Sequence, residues 1–372
     1  MTASRRSLPM VDRGSLAQPL FESRKAELET CAYCPKLCRA ACPVSDAEWS
    51  ESVTPWGKMS SVYVAARHAA VPDGASAELP WACTGCLACR ERCDHRNPVR
   101  DTLFEARAAY VEAGAAPAGS ERVRLRFGAR IEATTQRQRE LLNSELSGAS
   151  SAEQPDVDLL LGCAYVNHAP EAVRAALRAA RNLFGRVRVI EGCCGAPLDA
   201  AGAPEAARAT REKLLGSLSP GARRIALDAG CTYSLRQDGF VPFSRTALDA
   251  LATWASFPSF RGERLRYHDS CSLGRGLGEY EAPRALLRRA LGGEPLEFPR
   301  RREFAACSGG GGLLPLTRPE TARAIAKDRV LEHERSGGGK IVTACAQSLR
   351  SLKQAGADVI DLSEIIRSLS ER

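Results

Sequence analysis

Short apolar runs alternate with Ala- and Arg-rich stretches of helical period from residue 156 to the C-terminus, the pattern of parallel βαβ units. Residues 158–161, 187–190, 224–227, 265–267 and 340–343 read as strands, and the segment 303–306 takes the corresponding place before the last of them. The region before residue 119 shows no such alternation. It offers a short helical stretch at 20–28, a helix around 58–67 and a helical face through Leu103, Ala106 and Tyr110. A Gly-, Ala- and Pro-rich run at 114–119 closes it. Val123, Phe127 and Ile131 then recur at helical spacing in a charged segment that turns Ser-rich, which reads as a linker helix with a loose tail and no core of its own.

The strand-and-helix region is duplicated. In the first copy the strands lead to Cys163, to Cys193-Cys194-Gly195 and to Cys231; in the second copy the matching segments lead to Cys271, to Cys307-Ser308-Gly309 and to Cys345. The interval from Cys194 to Cys231 equals that from Ser308 to Cys345, and both copies close on Cys-x-x-Ser, at Ser234 and Ser348. Agreement at three points marks an internal repeat. Open parallel sheets place ligand sites just past the carboxyl ends of their strands, so the three loops of each copy are expected to converge.

Most of these landmarks are cysteines, and the 372-residue chain has 15 of them. An odd number in tight clusters argues against the disulfide framework of a secreted domain and for metal ligation in a reducing cytoplasm. Arg5 and Arg6 have no apolar run behind them and no stretch approaches the ~18 apolar residues of a membrane span, so twin-arginine, secretory and transmembrane readings fail. A formal charge of +8 raises the question of nucleic acid, but Lys and Arg are scattered along helical segments, as at Arg174, Arg178 and Arg181, in the manner of solvated faces. Each four-thiolate cubane brings roughly two negative charges, so two of them would halve the excess. No nucleic-acid partner is expected.

Two runs of four cysteines stand before residue 100: Cys31, Cys34, Cys38 and Cys42, followed by Pro43, then Cys83, Cys86, Cys89 and Cys93. Three close cysteines on a looping backbone cover three irons of a [4Fe-4S] cubane, and a remote cysteine covers the fourth. Zinc sites use paired Cys-x-x-Cys knuckles instead. By the rule of two-cluster ferredoxins the fourth cysteine crosses over, which assigns Cys31, Cys34, Cys38 and Cys93 to cluster 1 and Cys83, Cys86, Cys89 and Cys42 to cluster 2. Two departures from that pattern remove no ligand: three residues rather than two separate Cys34 from Cys38, and Asp94 rather than proline follows Cys93. The long interval between Cys42 and Cys83 must hold its own helix. That suits the helical ferredoxin-like module of dehydrogenase subunits better than a small free carrier.

The motifs Cys193-Cys194-Gly195 and Cys307-Ser308-Gly309, with His268-Asp269-Ser270-Cys271 and Thr343-Ala344-Cys345, resemble the paired cysteine-rich domains of heterodisulfide reductase-like proteins. A two-cluster ferredoxin module followed by two such domains is also similar to the iron–sulfur subunits of glycolate oxidase and anaerobic glycerol-3-phosphate dehydrogenase. The likeness runs from about Cys31 to the C-terminus. Pattern and resemblance together give a multidomain fold: an N-terminal extension (1–30), an α-helical two-cluster ferredoxin-like domain (31–118), a linker (119–154) and two α/β cysteine-rich domains with parallel sheets (155–250 and 262–372). In heterodisulfide reductase each such domain is expected to supply five cysteines to a noncubane cluster. Here the first copy has four, Cys163, Cys193, Cys194 and Cys231, with Ser234 in the fifth place, and is expected to offer a third iron–sulfur or zinc centre. The second has three, Cys271, Cys307 and Cys345, with Ser308 and Ser348, and reads as a degenerate site because serine is a poor iron ligand beside thiolate. Buried, inert cysteines are the plainer reading of both copies.

Other candidates carry less. Gly309 to Gly312 lacks the Lys that follows a phosphate-binding loop, and Gly274, Gly276 and Gly278 do not fit the dinucleotide fingerprint; both runs are expected to let backbone turn near the sulfurs. His268 and His95, near Cys271 and Cys93, are expected to be structural. The chain has no flavin or nicotinamide fingerprint of its own, which suits an electron-transfer subunit with no catalytic residue. In that expectation a flavoprotein dehydrogenase partner oxidises a small organic substrate, two [4Fe-4S] clusters pass the electrons singly, and the repeats hand them to a quinone or disulfide-type acceptor. Any membrane association would run through a partner. The alternatives are a heterodisulfide reductase-like catalytic subunit working at Cys163, Cys193, Cys194 and Cys231, and a metal-stabilised redox scaffold.

Overall fold

A computed structural model describes residues 17–68, 74–145, 154–255 and 258–371. The N-terminal part is helical. Helices Ala17–Ala32, Pro55–Arg67 and Val99–Glu112 pack around Leu28, Met59, Val62, Trp81 and Leu103. Thr54 caps the second of these by accepting from Gly57 N at 3.0 Å, with Pro55 in the first turn where its missing N–H costs nothing. This is the helix that the interval between the two cysteine runs had to hold.

The duplication expected from the sequence is present as two four-stranded parallel sheets of identical order. Strands β1 (Val157–Leu160), β2 (Val187–Ile190), β3 (Arg223–Ala226) and β4 (Val241–Pro242) lie in the order β2-β1-β3-β4; β5 (Leu265–His268), β6 (Leu296–Glu297), β7 (Lys340–Thr343) and β8 (Val359–Asp361) lie in the order β6-β5-β7-β8. In register, Leu159 pairs with Val189 and Ile225, and Tyr267 pairs with Val342. The expected strands at 158–161 and 224–227 begin and end one residue earlier, and β4, β6 and β8 are too short to show a period of two. The segment 303–306 is no strand: a 3₁₀ turn, Arg302–Phe304, precedes Cys307 there.

The two copies share one hydrophobic core. Leu159, Val173, Leu177 and Phe184 of the first belong to the same cluster as Tyr267, Val342, Ile365 and Ile366 of the second. Buried hydrogen bonds cross the seam, from Tyr165 Oη to Asp361 Oδ2 at 2.7 Å and from Ser363 Oγ to the Ala172 carbonyl at 2.9 Å. The two domains that the sequence suggested, each with its own sheet, therefore pack as one body through a shared core.

The expected linker is also part of that body. Helix Ala118–Glu145 buries Val123, Thr134, Gln138 and Leu141, and Leu141 enters the shared core. Ser120 Oγ donates to the Ala201 carbonyl at 2.7 Å and Gln138 Nε2 to the Ile190 carbonyl at 3.2 Å. Polar residues that bury their side chains on neighbouring carbonyls look like solvated positions in a sequence, which is why the pattern here suggests a helix without a core. The Ser-rich tail lies mostly outside the described residues.

Arg107 fastens the helical module to both repeats. Its side chain is fully buried and donates to four carbonyls: Pro80 (3.1 Å) and Cys83 (2.9 Å) of its own module, Ala200 (2.8 Å) of the first copy and Gly312 (3.1 Å) of the second. Close approach of backbone completes the joint. A Cβ on Gly312 would stand 2.1 Å from the Cys83 carbonyl oxygen, and one on Gly202 would stand 2.6 Å from that of Arg107. Replacing Arg107 with methionine leaves those carbonyls without a donor and should cost at least ~3 kcal/mol. We expect a lower thermal midpoint and faster proteolysis around residues 113–117; unchanged values of both would show that the joint does not depend on this guanidinium.

Candidate functional site

The two cysteine runs interleave: Cys93 of the second run stands beside Cys31 and Cys38, and Cys42 of the first run stands beside Cys89 as well as Cys38. Cys31 closes helix Ala17–Ala32, Cys38 lies in the 3₁₀ turn Leu37–Ala41, and Cys93 follows helix Ala88–Glu91. Burial first, then the neighbouring Cys38, Cys93 and Cys34 sulfurs, push the Cys31 thiol up to about 12. Burial first, then Cys34, Cys93 and Cys42, push Cys38 up to about 11. Asn97 Nδ2 donates to Cys31 Sγ at 3.0 Å, the one interaction here that favours the thiolate.

In the second group Cys89 has Cys83, Cys86 and Cys42 as its sulfur neighbours, and burial raises its pKa well above the ordinary thiol value. Lys58, fully buried, reaches into this group. Its Nζ donates to Cys42 Sγ at 3.4 Å and to the Ala82 carbonyl at 2.7 Å. Burial disfavours the ammonium, but Cys42, Cys83 and Cys89 outweigh it and the Lys58 pKa is raised. Gly85, at φ +69, turns the loop so that its N–H points at Cys83 Sγ, 3.4 Å away. Cys31, Cys38 and Cys89, which resist ionisation because they are buried among other sulfurs, need positive charge to become ligands, and iron supplies it. Each group fits a cubane in number, softness and donor chemistry.

The cysteines of the repeats behave differently from one another. In the first copy Cys163, Cys193, Cys194 and Cys231 stand together as neighbouring sulfurs. Cys193, Cys231 and the Ala196 N–H hold Cys194 well below the ordinary thiol value, while Cys193 and Cys231 are raised. In the second copy the two serines that stand in cysteine positions satisfy each other, Ser308 Oγ to Ser348 Oγ at 2.9 Å, buried. Burial pushes Cys345 up to about 12. Cys307 is the buried neighbour of Cys86 of the helical module, and Cys86 is the more acidic of the two because it has Cys307 and the Arg275 guanidinium beside it. Among the described residues no three His, Cys, Asp or Glu side chains close around a single metal ion.

Arg275 is a residue the sequence did not reveal. It is buried, with Cys86, Cys271 and Cys307 as anionic neighbours, and donates to the carbonyls of Cys86 (2.6 Å) and Ala305 (2.8 Å). Its Nη2 has no hydrogen-bond partner. Lys58, Asn97 and Arg107 were equally hidden, since a single buried cation or amide on a helix carries no motif. The glycines of 309–312 do turn backbone near sulfur: the Gly309 N–H points at Cys307 Sγ from 3.3 Å, and Gly311 and Gly312 lie against Thr84 and Cys83. His268 is structural, accepting from Arg329 Nε at 3.1 Å and kept neutral by burial and by Arg329. His95 is exposed, not packed as its place beside Cys93 suggested.

Between the two copies and the helical module lies a cavity of about 490 Å³. Cys163, Cys194 and Cys231 line it from the first copy, Cys271, Cys307 and Cys345 from the second, and Thr84 and Gly85 from the second cysteine loop. All three parts of the chain thus open onto one space.

The sequence matches the 4Fe-4S dicluster domain over residues 27–97 and the Cysteine-rich domain twice, over 157–236 and 265–353. It is similar to a probable membrane-anchored ferredoxin of Chromohalobacter salexigens, with 36% identity over 33% of this chain and 19% of that protein. It is similar also to one subunit of the fumarate reductase (CoM/CoB) of Methanothermobacter marburgensis, with 25% identity over 71% of this chain and 55% of that one. Against one subunit of the dihydromethanophenazine:CoB–CoM heterodisulfide reductase of Methanosarcina mazei the identity is 25% over 78% of this chain and 76% of the relative. The chain therefore spans about a fifth and about half of the first two. No helix among the described residues is long and apolar enough to cross a membrane.

Proposed function

We propose that this iron–sulfur chain, which carries a 4Fe-4S dicluster domain and two cysteine-rich domains and is related to subunits of oxidoreductases, relays electrons from a flavoprotein dehydrogenase to an acceptor in the cavity between its repeats. Cys31, Cys34, Cys38 and Cys93 would hold one [4Fe-4S] cluster, and Cys83, Cys86, Cys89 and Cys42 the other. The chemistry such clusters supply is one-electron storage at a potential set by charge, hydrogen bonds and burial. The observation that carries the reading is the packing of Cys86 and Cys307 as neighbours in one buried cluster, which brings the second cysteine run to the wall of the cavity.

Charge gives the relay a direction. Lys58, Arg107 and Arg275, all buried, lie next to the second group, and among the described residues none has a carboxylate partner. The first group has no comparable cations among the described residues, and Cys34, Cys38 and Cys93 are partly exposed. Positive charge stabilises a cluster in its reduced, more negative state, so the second cluster takes electrons from the first and stands nearest the cavity. The half-exposed first cluster is the entry point for the flavoprotein partner. Fifteen unpaired thiols support a cytoplasmic setting, with any membrane contact made through a partner.

The first copy would hold a third centre on Cys163, Cys193, Cys194 and Cys231. The second copy, closed by its serine pair, holds none and serves as the exit. A disulfide-reducing enzyme is the second reading, favoured by one observation: Cys163, Cys194 and Cys231 open onto the same cavity as Cys307.

Two experiments test the relay. Arg275→Met should shift the midpoint potential of the second cluster to more negative values in an EPR-monitored redox titration, with iron content unchanged, whereas Arg275→Lys should hold it near the parent value. An unshifted potential in the methionine variant would remove the role given to this charge. Tagged chain purified anaerobically from its own organism should retain a flavin-containing polypeptide in near-equal amount; a chain that purifies alone, with intact clusters and no flavin, would refute the partner.

A further inference from the structure

The rim of the central cavity carries positive charge that nothing among the described residues neutralises. Arg130 and Arg137 come from helix Ala118–Glu145, Arg350 from helix Ala346–Gln354 of the second copy, and His168 from helix Cys163–His168 of the first. The three arginines surround the histidine closely enough to repel its proton: burial first, then Arg350, Arg130 and Arg137, bring the His168 pKa down to about 4. Arg350 Nη1 donates to His168 Nε2 at 3.2 Å, so this nitrogen is the acceptor and the ring is neutral. Arg137 donates to Asn167 Oδ1, and Asn167 Nδ2 donates in turn to the Cys163 carbonyl at 2.7 Å. None of the three guanidinium groups makes an ion pair among the described residues, although many other arginines of this chain do.

The fourth arginine of the same cavity, Arg100, is paired with Asp101 at 2.7 Å, and Phe104, Ala164, Pro197, Leu313 and Leu316 lie along the cavity walls. Its one carboxylate, Asp228, is occupied: it accepts from the N–H groups of Gly230 (2.6 Å) and Cys231 (3.2 Å) at the start of helix Ala229–Ser234. A site of this size, with an apolar body and guanidinium groups converging from separate elements on its rim, is built for a small molecule with a charged head.

We propose that Arg130, Arg137 and Arg350 form an anion site, and that the acceptor entering the cavity is a small organic anion with a carboxylate or phosphate head and an apolar body. The head rests on the rim and the body extends toward Cys194, Cys231 and Cys307. This rests on the relay reading and narrows it, because a neutral long-chain quinone offers the rim carbonyl oxygens but no negative charge to pair with its guanidinium groups.

The test uses the full-length holoprotein under anaerobic conditions, with iron content and reducibility by dithionite measured first. Missing or irreducible clusters would count against the relay reading; the anion site is judged on protein whose clusters are intact. Naphthalene-2-carboxylate, naphthyl phosphate and the neutral naphthalene-2-carboxamide are titrated by calorimetry at low salt. At least one of the two anions should bind ~10-fold or more tightly than the amide, and the Arg130→Gln/Arg350→Gln double variant should lose about that factor while keeping its iron. Which anion binds better distinguishes a carboxylate from a phosphate head. Equal binding of anions and amide, or no loss in the double variant, would overturn the proposal.

Discussion

The architecture turns on a buried guanidinium that has only neutral partners. Arg107 gives its hydrogen bonds to carbonyls of three separate parts of the chain, so its charge is solvated by backbone dipoles while its position fixes Cys83 against Gly312. Burial lowers its pKa to about 10 and the Cys83 sulfur acts in the opposite sense. With Lys58 and Arg275 it makes a shell of buried cations around one group of cysteines. Burying three unpaired cations would be prohibitive around neutral thiols and is reasonable around a cluster carrying net negative charge.

The same joint engages the two repeats differently. The second copy lends its glycine loop to the helical module, where any side chain at Gly311 or Gly312 would strike the backbone of Thr84 or Cys83. Its Cys307 is turned toward Cys86, and its remaining ligand positions have closed on the Ser308–Ser348 pair. The first copy is free of that contact and keeps four neighbouring sulfurs. Identical sheet order with different loops is what a duplication looks like after one copy has become an interface.

Much of this was legible in the sequence because cysteine has few structural uses at such spacing: the two runs, the repeat interval and the strand-end cysteines all reappear in the fold. The short strands β4, β6 and β8 were not legible, since two or three residues carry no period, and neither was the turn before Cys307. The shared core was hidden because apolar patterns say that a face is buried but not against what. Helix Ala118–Glu145 was misjudged for its polar buried face, Ser120, Thr134 and Gln138. Lys58, Arg107 and Arg275 stayed invisible for a common reason: each acts through one long side chain whose partners are distant in sequence.

The account stands or falls on which sulfurs share a cluster. Cys42 lies in the first run by sequence, and in the structure it has Lys58 and Cys89 beside it as well as Cys38. The decisive measurement is iron content with EPR of the dithionite-reduced protein, comparing the parent with Cys42→Ser. The parent should hold about eight irons and show two interacting clusters. The variant should lose the signal of the buried, higher-potential cluster and keep an isolated one of lower potential. Loss of the low-potential signal instead, or a parent that carries zinc in place of iron, would contradict it.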